Sequence, residues 1–286
     1  MPNSIPYLIL TAFSVIAISV LMLHKRAAWP LILLLSFSGM IYVFEFFIYL
    51  WFDSYRYFPR LVGIPFYDST LGAVVSNLLA VPVAAAYVAV YRLSWRWIVC
   101  LALIFAGIEW LFLELGIYEQ YWWKTAYTLI AQLFFFRLAR QWPIWLAGRG
   151  RVIRFVTLLM ISWSVAATLV FVLALTGIRI FHIGYFADPY HDDLFISAIY
   201  SFLKAVVLAS FVTAGRRPLT KAISLLVIFA AHIVLMRLGI IKIMIPLWQF
   251  WLIYAPCCTA VLCLIAVIRH KLERFGTKSY TNNRSF

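Results

Sequence analysis

Six ionisable residues stand inside apolar runs of this sequence: Glu45, Glu109, Glu114, Lys204, His232 and Arg237. A charge near the centre of a bilayer costs roughly 2.5–3.5 kcal/mol on insertion scales, so such residues face a bundle interior, pair, or snorkel. Their chemistry divides along the chain. The first half supplies only carboxylates; the second supplies Lys, His and Arg. Glu109 is therefore expected to pair with Lys204 or His232 across the two halves. The same pair could act structurally, locking the halves together, because buried ion pairs are weak evidence of net stability. Glu109 and Glu114 are five residues apart, about 140° around a helix, and so do not share a face. The same holds for His232 and Arg237. One member of each pair is expected to point inward while the other reaches for the interface, Arg237 by snorkelling. At 1.5 Å per residue, Glu114, Glu45 and Glu109 lie about 6, 9 and 14 Å below the outer ends of their spans, which suits a cavity opening outward.

A second group of candidates flanks the spans. The stretch DSYRYFPRLVGIPFYD (53–68) mixes aromatics, Arg56, Arg60, Pro59 and Asp68, and its prolines disfavour helix at the residues before them. It is expected to pack over an outer mouth together with Trp122, Trp123 and Asp193. The stretch FHIGYFADPYHDD (181–193) carries His182, His191, Asp188, Asp192 and Asp193. Histidines beside carboxylates can hold a divalent metal, but no fixed ligand spacing is present, and the expectation is a solvated acidic loop with no metal. There is no phosphate-binding loop, dinucleotide fingerprint, HExxH or GxSxG, and no cofactor is expected.

The elements that must position these residues are transmembrane helices. The chain of 286 residues is 65% hydrophobic and 12% charged, with a mean hydropathy of +0.96; soluble domains are near 45–50% apolar and about 25% charged. Apolar runs of roughly 17–24 residues recur, each enough for about 30 Å of hydrocarbon. The polar/apolar alternation of an outer-membrane barrel is absent. The expected fold is all-α, a polytopic helix bundle with spans near 5–23, 28–51, 69–91, 97–118, 122–140, 154–177, 194–214, 222–240 and 245–268. Cys100, Cys257, Cys258 and Cys263 all lie in apolar runs and read as small hydrophobes.

The net charge is +14, but the basic residues sit in alternate loops rather than in a nucleic-acid-binding patch, and no nucleic-acid partner is expected. Of the 24 Lys and Arg, 17 fall in the segments 24–26, 92–96, 137–154, 216–221 and 269–286. The other loops carry Asp53, Asp68, Glu119, Asp188, Asp192 and Asp193. The positive-inside rule makes the basic set cytoplasmic, which puts the N-terminus outside, the C-terminus inside, and the protein in the cell membrane as a multi-pass chain. The first span has no basic stretch before it and Lys25-Arg26 after it, so an uncleaved anchor is expected rather than a secretory signal. Trp51, Tyr55, Tyr57, Tyr67, Tyr118, Tyr121, Trp122 and Trp123 read as an interfacial aromatic belt. The tail after the last span is polar and expected to be flexible.

Spans 2–5 and 6–9 read as two parallel four-helix repeats with span 1 added. Asp68-Ser-Thr-Leu-Gly-Ala-Val-Val-Ser76 aligns with Asp193-Leu-Phe-Ile-Ser-Ala-Ile-Tyr-Ser201. AGIEWLFLELGI (106–117) aligns with FAAHIVLMRLGI (229–240), which sets Glu109 over His232 and Gly116 over Gly239, and Trp123 falls over Trp248. Offsets stay within 123–125. The divisions that follow are an N-terminal span (1–27), a first unit (28–140), a cytoplasmic linker (141–153), a second unit (154–268) and a tail (269–286). An even number of spans per unit makes both copies enter with one orientation.

The run YRYFPRLVGIPFYDSTLG followed by IEWLFLELGIYEQYWWKTAYT resembles a family of small uncharacterised integral membrane proteins of spore-forming Gram-positive bacteria. The resemblance rests on Pro59, Asp68, Glu109 and Trp122 or Trp123, covers roughly residues 40–130, and leaves the second unit uncovered, where His232 stands in place of Glu. It implies a membrane bundle and no established activity.

The function expected from these features is non-enzymatic: a transporter or sensor handling a small solute or lipid, with the bilayer and a lipid or small molecule as partners. No broken helix marks a substrate site. One alternative is a membrane-embedded enzyme acting on a lipid or isoprenoid, with Glu109 as acid or base in an apolar pocket. The other is a structural or assembly protein whose charges only hold the bundle together.

Overall fold

A computed structural model describes residues 2–148, 150–215 and 217–282, with side chains as far as 273. The chain forms two compact units, Met1–Trp145 and Leu146–Phe286. The first holds α1 (Ser4–Lys25), α2 (Trp29–Trp51), β1 (Tyr55–Tyr57), α3 (Pro65–Tyr91), α4 (Trp95–Glu114), β2 (Tyr118–Gln120) and most of α5 (Thr125–Ala147). The second holds α6 (Arg151–Leu175), β3 (Arg179–Phe181), α7 (Pro189–Ala214), α8 (Pro218–Arg237), β4 (Ile241–Ile243) and α9 (Leu247–Asn282).

Eight of these nine helices are long and apolar enough to cross a membrane. The exception is α5, which has the length, 23 residues, but is diluted by Gln132, Arg137, Arg140 and Gln141. Large apolar side chains remain exposed along the bundle: Leu8, Ile9, Phe13, Ile16, Val20 and Leu23 on α1, and Leu103, Ile104, Trp110 and Leu111 on α4. Water would penalise such surfaces and hydrocarbon does not. The protein is an all-α integral membrane protein.

Helix ends follow local chemistry. Prolines occupy the first turns of α2, α3, α7 and α8, where a missing N–H costs nothing. α4 and α8 end on the same device. Gly116 and Gly239 adopt φ of 63° and 73°, and Ile117 and Ile240 donate back to the carbonyls of Phe112 and Leu235 at 3.1 and 3.0 Å. A side chain at such a left-handed position would be strained.

After α1, each unit runs helix, strand, helix, helix, strand, helix. β1 pairs antiparallel with β2 in the register Tyr55↔Gln120, Arg56↔Glu119, Tyr57↔Tyr118. β3 pairs with β4 as Arg179↔Ile243, Ile180↔Lys242, Phe181↔Ile241. Left-handed residues also recur at matched places: Asp53 with Gly177, Arg60 with Gly184, Gly116 with Gly239.

The first unit differs by two π-helical segments, Phe46–Trp51 at the end of α2 and Val75–Ala80 inside α3; α6 and α7 are α-helical throughout. A π turn accommodates one extra residue. The correspondence between units therefore slides from 125 to 124 to 123 residues along the chain. This corrects one alignment made from sequence. Asp68 corresponds to Asp192, not Asp193: Asp68 accepts the backbone N–H groups of Arg60, Leu61 and Val62 at 2.6–3.0 Å, as Asp192 accepts those of Ile183, Gly184, Tyr185 and Phe186. Ser69 then matches Asp193, and these two accept the N–H of Tyr57 and Phe181 respectively.

Two boundaries differ from the sequence reading. α5 runs through Pro143 to Ala147 and α6 starts at Arg151, so residues 148–150 alone lie between helices where a linker of 141–153 was expected. α9 continues to Asn282 instead of ending at the last apolar residue; of the tail, residues 283–286 lie outside the described residues.

Candidate functional site

Strand alternation sets the site. In the β1–β2 pair, Tyr55, Tyr57, Tyr118 and Gln120 share one face, while Arg56 and Glu119 stand opposite each other on the other. Arg56 also pairs with Asp53 at 2.8 Å and lies over the Phe66 ring. The three tyrosines turn into a cavity of about 590 Å³ that belongs wholly to the first unit. Its walls come from α1 (Tyr7), α2 (Ile41, Phe44, Glu45), α3 (Gly72, Ser76, Asn77), α4 (Phe105, Glu109, Phe112) and α5 with the turn before it (Trp123, Thr128, Gln132).

Two carboxylates reach this space. Glu45 directly precedes the first π segment and accepts from the Tyr55 hydroxyl and the Asn77 side chain; Asn77 lies in the second π segment. Glu109 accepts from Gln120 Nε2 at 2.5 Å and Thr125 Oγ1 at 3.0 Å. Gln132 is buried, and its Oε1 has no hydrogen-bond partner among the described residues. The remaining surface is aliphatic and aromatic. Tyr57 and Tyr118 rings are 4.7 Å apart, Tyr55 lies 5.4–5.5 Å from both, and Phe44 meets Trp123 edge to face at 5.6 Å.

Burial, and then the nearby Glu45 carboxylate, hold the Tyr55 phenol well above its usual range. Burial followed by Glu45 and Glu109 does the same for Tyr57, and burial followed by Tyr57 for Tyr118. Of the three, Tyr55 donates its hydroxyl to Glu45. Gly72 permits the close approach of strand to helix: a Cβ there would stand 2.5 Å from the Tyr57 Cβ.

Of the residues selected from sequence, Glu45, Glu109 and Trp123 meet at this cavity. Glu114 and Arg237 are exposed at the ends of α4 and α8. Pro59 is buried in the connection that Asp68 ties down. Trp122 is exposed and donates to the Phe52 carbonyl, while Trp123 is buried and donates to Thr128. Trp248, aligned with Trp123 from sequence, is exposed. Glu109, expected to pair with Lys204 or His232, has partners within its own unit, and so have Lys204 and His232. Glu109 is held by Gln120 and Thr125. Lys204 sits over the Tyr200 ring at 4.6 Å, and His232 stacks on Tyr254 at 4.3 Å and on Phe250 at 5.3 Å. The contacts of each of these groups come from its own unit.

The second unit carries the same seam with different residues. Val170 stands where Glu45 does, Phe181 for Tyr57, Ile241 for Tyr118, Ile243 for Gln120 and His232 for Glu109. Val170, Phe181, Tyr200 and Ile241 form a packed apolar cluster. In place of Tyr55 stands Arg179, which bonds Asp193 at 2.5 Å, Ser197 at 2.9 Å and the Val170 carbonyl at 2.6 Å. Asp192 takes His182 at 3.0 Å as well as its backbone donors. Asp192 and Asp193 are thus buried and engaged with backbone donors, while His182 and Asp188 in the same loop are exposed.

Sequence reasoning missed Tyr55, Tyr57, Tyr118, Asn77, Gln120 and Gln132. The tyrosines were read as an interfacial belt; the signal that distinguishes them is the two-residue alternation in YRY and YEQ, which places them on one strand face.

No protein-family model, curated protein or solved structure matches this chain.

Proposed function

We propose that the first unit binds an amphiphile, apolar along most of its length with a polar head between Glu45 and Glu109, and that the protein handles a lipid or lipid-like solute as a carrier or sensor. The supporting observation is a cavity of about 590 Å³ whose polar positions, Glu45, Tyr57 and Tyr118, are Val170, Phe181 and Ile241 in the packed seam of the second unit. Ligand sites of 300–1,000 Å³ with few polar groups on apolar walls are the common pattern for small molecules. A purely structural role needs no such space. On the positive-inside reading the strand pair and cavity mouth face outward in the cell membrane.

The enzymatic reading rests on the same two carboxylates sharing one apolar space. It is second because Glu109 receives donors from two sides, which favours a fixed acceptor over a group that delivers a proton.

Extraction and mass spectrometry of molecules that co-purify with the full chain test the proposal. Ala131→Trp, which places an indole in the cavity, should abolish retention, while Leu103→Trp on an exposed helix face should not. Equal retention by both variants, or none by the unmodified protein, would remove the proposal.

A further inference from the structure

We propose that the head this cavity selects is a protonated amine carried on a hydrocarbon chain; the inference rests on the amphiphile-binding reading and specifies its ligand.

The polar groups lining the cavity include two carboxylates, Glu45 and Glu109, and the Gln132 amide, whose Oε1 has no hydrogen-bond partner among the described residues. The donors beside the two acids, the Tyr55 hydroxyl, Asn77, Gln120 and Thr125, are directed at them. No Lys, Arg or His is among the residues lining the cavity. The cavity therefore holds two carboxylates and no cation of its own. Buried carboxylates without a counter-charge are costly, and a ligand that brings a positive charge relieves that cost. An ammonium also brings several N–H donors, so one head can satisfy more than one acceptor. An anionic head would meet two like charges, and a neutral alcohol would bring one donor and no charge.

The walls agree with a cation. Tyr55, Tyr57, Tyr118 and Trp123 present ring faces and edges to the same space, and aromatic surfaces attract desolvated ammonium groups. The size and apolar character of the cavity call for a hydrocarbon chain behind the charge and are unsuited to a bare ion. The second unit gives the contrast. Where both acids are replaced, by Val170 and His232, Tyr200 lies over the seam and its cationic neighbour is the protein's own Lys204.

The test is calorimetric titration of the full chain in nanodiscs of anionic lipid with hexylammonium, hexanol and hexanoate. Hexylammonium should bind at least tenfold tighter than hexanol, and hexanoate should not bind. Glu45→Gln/Glu109→Gln should bring hexylammonium down to the affinity of hexanol and leave hexanol unchanged. The comparison of the three probes on the unmodified protein needs no variant, so a folding failure of the double variant does not remove the test. Hexanol binding as tightly as hexylammonium would overturn the amine assignment and leave the amphiphile reading standing. If no probe binds, and Ala131→Trp also keeps its co-purifying molecules, both fail. A primary ammonium occurs on lipid headgroups and on free alkylamines. Loss of hexylammonium binding when phosphatidylethanolamine is added to the nanodisc assigns the lipid source; unchanged binding assigns the free amine.

Discussion

The buried pair in the second unit offers a quantitative test of the correspondence between the two strand seams. Arg179 and Asp193 are 3% and 0% exposed and meet at 2.5 Å. Replacing Arg179 by Leu leaves a buried aspartate that accepts from the Phe181 N–H and the Ser197 hydroxyl without a counter-charge. Replacing Asp193 by Ser leaves a buried guanidinium. Breaking a buried pair from one side costs about 3–5 kcal/mol, so each single variant should lose that much. The double variant Arg179→Leu/Asp193→Ser removes both charges. Its serine keeps an acceptor for the Phe181 N–H, as Ser69 does for Tyr57 at 3.0 Å in the first unit. What remains lost are the Arg179 bonds to the Ser197 hydroxyl and to the Val170 carbonyl, which keeps its place in the helix ladder, together about 1–3 kcal/mol. The double variant should therefore be more stable than either single one, with a coupling of at least about 3 kcal/mol. Unfolding of the four proteins in one detergent gives the cycle. If the single losses simply add, within the roughly 0.5 kcal/mol typical of independent sites, the pair is not coupled and the correspondence of Ser69 with Asp193 is wrong.

Three further outcomes follow from the first unit. Gly72→Ala should cost about 1–3 kcal/mol, because its Cβ would lie 2.5 Å from that of Tyr57, and it should weaken ligand retention by displacing the strand. Gly107→Ala, with nothing within 4 Å of its new Cβ, should leave the melting temperature unchanged or raise it; equal losses in both would refute the close-approach argument. Burial raises the phenols of Tyr55, Tyr57 and Tyr118 above the unfolded value, so the fold favours their protonated forms. That contribution is fully present below pH about 10 and is lost as pH rises toward the folded values. Alkaline titration should thus show these tyrosinates appearing together with loss of helix, and tyrosinate absorbance complete at an ordinary pKa with the helices intact would contradict it. Finally, in a cysteine-free background, Glu119→Cys should react with an impermeant maleimide from outside intact cells and Arg92→Cys only after lysis; the reverse pattern inverts the assigned topology.

Much of the bundle was legible in the sequence because one signal dominates it. Runs of apolar residues long enough for a bilayer have few other uses, and Pro65, Pro189 and Pro218 at helix starts and Gly116 and Gly239 at helix ends punctuate them. Glu45 and Glu109 were legible for the same reason, as acids where hydrocarbon should be. Their partners were not. Tyr55, Tyr57 and Tyr118 look like any interfacial aromatics until the strands are known, and three-residue strands are too short to announce themselves. The pairing of Glu109 with Lys204 or His232 was inferred from opposite charge alone, whereas amides, hydroxyls and ring faces nearby satisfy each group first. The one-residue error at Asp193 came from the π segments, which leave no trace in hydropathy and shift every position after them.

Those π segments bear directly on the site. Each widens its helix by one residue where α6 and α7 have none, and they place Glu45 just before one and Asn77 inside the other. A regular helix would carry both positions onto the register of the second unit, where the corresponding side chains pack into an apolar cluster. The first unit keeps its irregular turns, two acids without a base, an unsatisfied Gln132 and an unfilled space, each of which works against stability in a bundle that otherwise packs well. Departures from local consistency concentrate at functional positions in folded proteins. Several of them meet at one cavity, while in the second unit the positions of Glu45, Tyr57 and Tyr118 are Val170, Phe181 and Ile241, packed together. A role confined to scaffolding would have no use for the difference.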